Sequence, residues 1–445
     1  MRLNGHMADP SSPNLPEGEF FEQIRRLLAQ LGIDPQASQV SGLFSNPGAV
    51  FGAMPMFGGA QADPDAAWRT TITAAAHQLP SHGADPKPTP EQSRDIADAG
   101  RLAESWLDAH TRFTGIGTEA QAWTRRAWIE ATGARWRRLA EPIIEGSADA
   151  LGAGLAPEES EFAGLQQMFG PMLRMSASMM YRDQLQRSLA QLASAILTAT
   201  EPGFQLLPRP QIVLLPASIS SFVDGLELPE SEVLLYLALR ESARQRLFSG
   251  VGWLAPQLDA LLDHFAREIR IDLEFIGTQF NLDNPEELTM ERIAEVGESV
   301  SGSFFKPAST PAQLEILGRL ETLLALVEGW VDHVTSAAAG QWLTHAVALV
   351  ELVRRRRAAG GPEQSVWQNL VGLELRPRRI RDAENLWAAL SQVRGPQARD
   401  AVWDHPDLVP TSADLDDPLR FVHEERPSGA SDLDAELERL LRDEQ

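Results

Sequence analysis

Along most of the chain apolar residues recur every three to four positions, the spacing of one face of an α-helix. Trp68, Ile72 and Ala75 open the first such stretch, and a polar loop holding Pro80, Pro86, Pro88 and Pro90 closes it. A second helix is predicted over Glu91 to Thr111, with Ile96, Leu102, Trp106 and Leu107 on its apolar face. A third is predicted from Glu119, where Trp123, Trp128 and Trp136 alternate with Arg125, Arg126, Arg135, Arg137 and Arg138. Amphipathic packing with solvated arginines explains that pattern better than base stacking. Met168 to Thr200 reads as one long helix or a helix pair, its methionines (Met168, Met172, Met175, Met179, Met180) acting as pliable core filling. The texture then changes: Gln211 to Leu215 is a short β-branched run between Pro210 and Pro216, which predicts a strand. Helices resume over Leu228–Ser249, Ala255–Gly277, Pro285–Val300, Pro311–Ala338, Gln341–Ala359 and Ile380–Gln392. Ser309, Thr310 and Pro311 give a helix start, and Gly360-Gly361 a helix stop. The predicted class is mainly α, with a small amount of strand ahead of the Leu228 helix.

The pattern weakens at both ends. Residues 1–64 read as a leader with one short amphipathic helix, Glu19 to Leu31, and a Gly-, Pro-, Met- and Phe-rich run, Asn46 to Gly59. That run is expected to be a flexible arm, or else a segment that docks on a partner or a second copy. The helical body spans 65–425, as one domain or as two lobes, 65–203 and 204–425. An acidic tail, 426–445, carries a short amphipathic stretch at Leu433 to Leu441. No internal repeat is visible.

Composition narrows the chemistry. The 445 residues hold no cysteine, so disulfides, thiolate nucleophiles and cysteine metal sites are excluded. The formal charge of −23 opposes nucleic acid over most of the surface. No run approaches the roughly 18–20 apolar residues of a membrane helix, and the first residues lack a signal-peptide core. A cytoplasmic protein without nucleic-acid or membrane partners is expected. The densest basic regions, Arg354 to Arg357 and Arg376 to Arg381, are expected to pair with acids inside the protein rather than to bind phosphate or nucleic acid, the alternative reading. Ser218 and Ser220 have no histidine near them in sequence and suggest no hydrolase triad.

One segment carries chemical information. Two histidines one helical turn apart, with a glutamate directly after the first, hold zinc on one helix face and activate its water. Leu237 to Phe248 has that frame, with Arg240 and Arg244 at the two ligand positions around Glu241.

These residues, with others in the same order, make the chain similar to the actinobacterial zincin-like metallopeptidase family, whose members are described as zinc-dependent metalloproteases or hydrolases. The similarity runs from about Ala66 to Phe421. It includes Trp123 to Pro142, Leu214 to Ile219, Arg240 to Leu254, Leu323 to Val334, Gly360 to Gln364, Val371 to Arg379 and Trp403 to Leu408. The resemblance puts the family's metal-binding histidines on Arg240 and Arg244 and its general base on Glu241. A guanidinium stays protonated and has no lone pair to give a metal, so zinc is not expected here and Glu241 would be a vestigial base. The resemblance puts a further ligand in a later helix, where Glu328 and Asp332 stand one turn apart. His333 falls on another face and reads as an ordinary polar residue.

Val233, Leu237, Leu247 and Phe248 form an apolar stripe that also contains positions 240 and 244, so both arginines are expected to face the protein body. Buried without partners they would cost several kcal/mol or more. Glu328 and Asp332 are the expected partners, an ion-pair cluster in place of the metal; the alternative is that both arginines meet solvent in an open cleft. The resulting functional expectation is a catalytically silent metallopeptidase homologue that binds a protein or peptide partner or acts as a scaffold. The alternative is a hydrolase that uses Glu241 in a non-standard site. Self-association through the Phe- and Met-rich arm is a third reading.

Overall fold

Two of the predicted helix starts are built in the same way. Thr310 accepts from Gln313 N at 3.2 Å while the Gln313 side chain accepts from Thr310 N at 3.1 Å, and Pro311 opens the first turn. Thr89, Pro90 and Gln92 repeat this arrangement. In the computed structural model, described over residues 64–154, 163–269, 310–361, 364–365, 368 and 377–423, the chain is mainly α-helical, as its periodicity predicts. Contacts divide it into two units, Met1–Ala67 with Glu274–Ser301 and Trp68–Leu273 with Gly302–Gln445. Only residues 64–67 of the first unit are described, and the site belongs to the second. The expected leader helix, the Asn46 to Gly59 run, the Pro285–Val300 helix and the acidic tail lie outside the described residues.

In chain order the helices are α1 (Pro64–Gln78), α2 (Pro90–Leu107), α3 (Arg125–Gly154), α4 (Ala163–Ala195), α5 (Pro216–Val223) and α6 (Glu230–Gly250). They continue with α7 (Leu254–Arg267), α8 (Pro311–Ala339), α9 (Ala346–Ala358), α10 (Pro377–Ala401), α11 (Ser412–Asp416) and α12 (Pro418–His423). The predicted strand shrinks to β2 (Val213–Leu214), because Pro216 starts α5 directly after it. Its parallel partner is β1 (Gln121–Ala122), in the stretch that periodicity had given to the third helix. That helix begins only at Arg125, after Thr124 accepts from Ala127 N at 3.0 Å. The second predicted helix likewise stops at Leu107 rather than Thr111, and α9 starts at Ala346 rather than Gln341.

Two expectations about packing also change. Met175 and Met179 are exposed, so they are not core filling. Of the α3 arginines, Arg125 is buried and donates to Ser218 Oγ at 3.0 Å, and Arg135 donates to Asp259 at 2.7 Å. Only part of that set is solvated. Trp128 and Trp136, by contrast, lie in the core.

The element that organises the interior is α6. Packed against it are α2, α5, α8, α9 and β2. Every residue from Leu235 to Phe248 is therefore buried, charged ones included, and the expected one-sided stripe is in fact a helix enclosed on all faces. A segment beside β2 adds the last wall: Ala199 N donates to Val213 O at 3.1 Å and Leu215 N to Leu197 O at 3.0 Å. That pairing delivers Thr198 and Thr200 to the α6 helix.

Helix α8 lies close against α10 as well as α6. At Gly329 a Cβ would come within 2.6 Å of Glu384 N and 2.7 Å of Ala383 Cβ, so the two backbones can meet only without a side chain there. Gly329→Ala is expected to cost about 1–3 kcal/mol through overpacking, despite alanine's better helix propensity. Urea unfolding measures this. A variant as stable as the wild type would mean that the two helices separate without cost.

Candidate functional site

The centre of the site is the middle of α6, where Arg240, Glu241 and Arg244 all lie inside the protein. Across from them, α8 presents Glu328 and Asp332, one turn apart and also buried. Arg240 Nη2 donates to Glu328 Oε2 at 3.0 Å, and its Nη1 donates to Asp332 Oδ1. Arg244 grips Glu328 with two parallel bonds, Nε to Oε1 at 2.8 Å and Nη2 to Oε2 at 3.0 Å. The fork matches the carboxylate's two oxygens, which makes such pairs stronger than single contacts. The sequence-predicted residues are thus brought together: two inward arginines meet two acids from the later helix.

A third guanidinium completes the cluster and was missed. Arg357, in the last turn of α9, donates to Asp332 Oδ2 at 2.6 Å, to Asp332 Oδ1 at 3.0 Å and to Glu328 Oε2 at 3.0 Å. The available signal was the run Arg354–Arg357 just before a helix stop. Successive helical residues point about 100° apart, so four adjacent arginines cannot share one partner. Arg354 binds Glu384 at 2.7 Å, Arg355 binds Glu351 at 2.8 Å, Arg356 binds Glu201, and Arg357 turns inward.

Burial alone would raise the Glu328 carboxyl, but Arg244, Arg357 and Arg240 hold it below the ordinary carboxylate range. Asp332 is pulled down too, its burial outweighed by Arg357 and Arg240. Both acids are therefore charged throughout the neutral range.

Glu241 sits in different company. It is fully buried, and burial pushes its carboxyl upward against the pull of Arg244, Gln245, Thr198 and Thr200. Thr200 Oγ1 donates to its Oε2 at 2.8 Å and Gln245 Nε2 to its Oε1 at 3.1 Å, while Arg244 reaches it only at 3.4 Å. The side chain is a braced interior acid facing the Thr198–Thr200 segment.

A narrow, largely enclosed recess of about 20 Å³, room for roughly one water, lies over the cluster. It is lined by Arg240, Arg244, Arg356, Arg357, Glu201 and Glu328, with Thr198, Leu237 and Val353. Glu241 is not among its lining residues.

His333 points away, to α10, where its Nε2 meets Ser391 Oγ at 2.9 Å. Its pKa is pushed down from the usual 6.5 to about 4, by burial first and then by Arg399 and His110, with Asp400 opposing. The neutral ring is thus favoured in the folded chain. Because the folded pKa lies below the unfolded one, this residue's stability contribution is complete above pH about 6.5 and is lost as pH falls towards 4. His333→Gln is expected to remove that component, so urea midpoints at pH 7 and pH 5 should differ less than in the wild type. An unchanged difference would count against it. Ser218 is buried, its hydroxyl accepting from Arg125 Nε at 3.0 Å and donating to Ser194 O at 3.4 Å, and Ser220 is exposed.

A mainly helical body with few strands is consistent with a zincin-like fold. The chain belongs to the zincin-like metallopeptidase family, whose model matches residues 67–422. A solved structure from Chloroflexus aurantiacus, described as a candidate hydrolase with a novel fold, is similar in fold. It is 18% identical, with a TM-score of 0.55 over 80% of this chain and 97% of that one. No curated protein matches the chain.

Zinc, which the family implies, does not fit this set of donors. The two α6 positions are guanidiniums without lone pairs, and the oxygens of Glu328 and Asp332 already accept from three of them. Among the described residues no three His, Asp or Glu side chains are grouped so as to hold a metal ion.

Proposed function

We propose that this chain is a catalytically silent zincin-like protein that binds a protein or peptide partner, or acts as a scaffold, without cleaving it. The observation that carries this reading is the buried cluster of Arg240, Arg244 and Arg357 on Glu328 and Asp332. Two zinc-bound neutral imidazoles would bring a charge of +2 to this spot through the metal; Arg240 and Arg244 bring the same charge covalently. The acids of the later helix keep their counter-charge, and the interior stays neutralised without a metal. What is lost is the polarised water on which a zincin's glutamate acts.

The alternative, a hydrolase relying on Glu241, requires that carboxylate to meet substrate. Glu241 is fully buried and does not line the pocket, which favours the silent reading. The reading carries with it a cytoplasmic setting and no nucleic-acid partner, in keeping with the net charge of −23. Among the described residues no helix is long and apolar enough to cross a membrane.

Elemental analysis of purified protein, paired with an assay on unfolded protein substrates, tests the proposal. Sub-stoichiometric zinc and no cleavage are expected, with and without added Zn²⁺. One zinc per chain, lost in Glu328→Gln, or cleavage abolished by Glu241→Gln, would overturn it.

A further inference from the structure

We infer that Met175 and Met179, on the outer face of α4, form a modification site at which a hydroperoxide oxidises methionine to the sulfoxide without disturbing the fold. This goes beyond the proposed function and does not rest on it.

Half of the chain's 10 methionines stand between positions 168 and 180, and Met168, Met172, Met175 and Met179 follow the spacing of one helical row. Such a row is ordinarily turned inward as pliable core filling. The described part of it faces water instead: Met175 is 39% exposed and Met179 63%. Helix geometry gives the reason. Ala177, Leu185, Leu189 and Leu192 are among the buried residues of α4, which packs along α3. At about 100° per residue, Met175 and Met179 each lie about 160° round the helix from Ala177, one on either side, opposite the buried face. Met180 lies only about 60° from Ala177 and is half-buried.

The chain has no cysteine, so no thiolate competes with the thioethers for an oxidant. A lone pair of the methionine sulfur attacks one oxygen of the hydroperoxide ROOH. The S–O bond forms as the O–O bond breaks, and the proton moves to the departing oxygen. Sulfur gives up two electrons and the oxidant leaves as ROH, which is water when the oxidant is hydrogen peroxide. The attack requires solvent access at sulfur, which ranks Met179 first, Met175 second and Met180 last. The product is a polar, chiral side chain where an apolar one stood. At positions 175 and 179 the new oxygen meets water rather than the packed side of α4, so the helix keeps its contacts with α3. Oxidation here changes what the face can bind and leaves the fold as it is.

The test treats the full chain with limiting hydrogen peroxide and follows each sulfur by mass spectrometry. Trypsin cuts after Arg174 and Arg182, so Met175, Met179 and Met180 leave together in one peptide and fragment ions rank them directly. In the folded chain Met179 is expected to oxidise about tenfold faster than Met180, with Met175 between them. In the urea-unfolded chain all three should react at one rate. The control for stability is Met175→Leu/Met179→Leu, in which these two sulfurs are absent. Peroxide should move the urea midpoint of the wild type no more than that of this variant. Equal rates at Met179 and Met180 in the folded chain, or the same ranking retained in urea, would overturn the inference. So would a larger loss of stability on oxidation in the wild type than in the variant.

Discussion

Glu328→Gln is expected to lower the free energy of unfolding by about 3–5 kcal/mol, the usual consequence of neutralising one member of a buried ionic group. Glu328 Oε2 accepts from Arg240, Arg244 and Arg357, and Oε1 takes the second arm of Arg244. The amide is nearly isosteric, so no cavity confuses the result. Its NH₂ would face guanidinium donors, and Arg240 and Arg357 would be left with Asp332 while Arg244 kept only its 3.4 Å contact to Glu241. Arg355→Ala is the matched control: Arg355 and Glu351 form an exposed i,i+4 pair, worth about 0.3–0.5 kcal/mol. Urea unfolding followed by tryptophan fluorescence reads both. A loss below about 1 kcal/mol in Glu328→Gln would mean that the cluster is solvated rather than buried. The acid limb follows from the same charges. Glu328 and Asp332 have folded pKa values below their ordinary ones, so the stability they confer is present above the ordinary carboxylate range. It is lost only as pH falls through their lowered values.

An effect of similar size, about 3–5 kcal/mol, is expected for Asp400→Asn, well away from the cluster. Asp400 is fully buried and accepts from Thr111 Oγ1 at 2.7 Å, Arg112 N at 2.9 Å, Trp330 Nε1 at 2.9 Å and Arg399 Nε at 2.8 Å. Every donor needs an acceptor, and an asparagine offers one oxygen where the carboxylate offered two. One side of the new amide must therefore present N–H groups to other N–H groups or to the Thr111 hydroxyl. The charge opposite Arg399, itself nearly inaccessible, would also vanish. The residue ties the chain after α2 to α8 and α10, so the loss should appear as lowered global stability rather than local fraying. Hydrogen exchange across those elements distinguishes the two. Wild-type protection in Asp400→Asn would refute the role given to this acid.

Much of this was readable from residue types. Arg240 and Arg244 lie one turn apart among apolar neighbours, and a permanent charge pointing inward must find a carboxylate. Glu328 and Asp332, one turn apart on a helix of the same body, were the acids suited to it. Arg357 could not be found by that route, because its place depends on where α9 packs, which pattern does not encode. The all-round burial of α6 was hidden for a related reason. Glu241, Ser242, Gln245 and Arg246 look like a solvent face, and only their partners on other elements make them interior. Arg246, for example, is neutralised by Glu104 at 3.0 Å and by Asp108 at 2.9 Å. The strand β1 was invisible because two residues carry no period, and its identity rests on pairing with Val213 and Leu214. Exposed Met175 and Met179 show the converse, that hydrophobic composition alone does not fix which side of a long helix turns inward.

The four consecutive arginines of α9 make that helix behave like the bit of a key. Each tooth engages a different lock: Glu384, Glu351, Glu201, and the pair Glu328 and Asp332. Inserting a single residue ahead of Arg354 would turn all four teeth by about 100° at once. Every guanidinium would then miss its acid, so sequences drifting by substitution can keep this interior while those drifting by insertion at this point cannot.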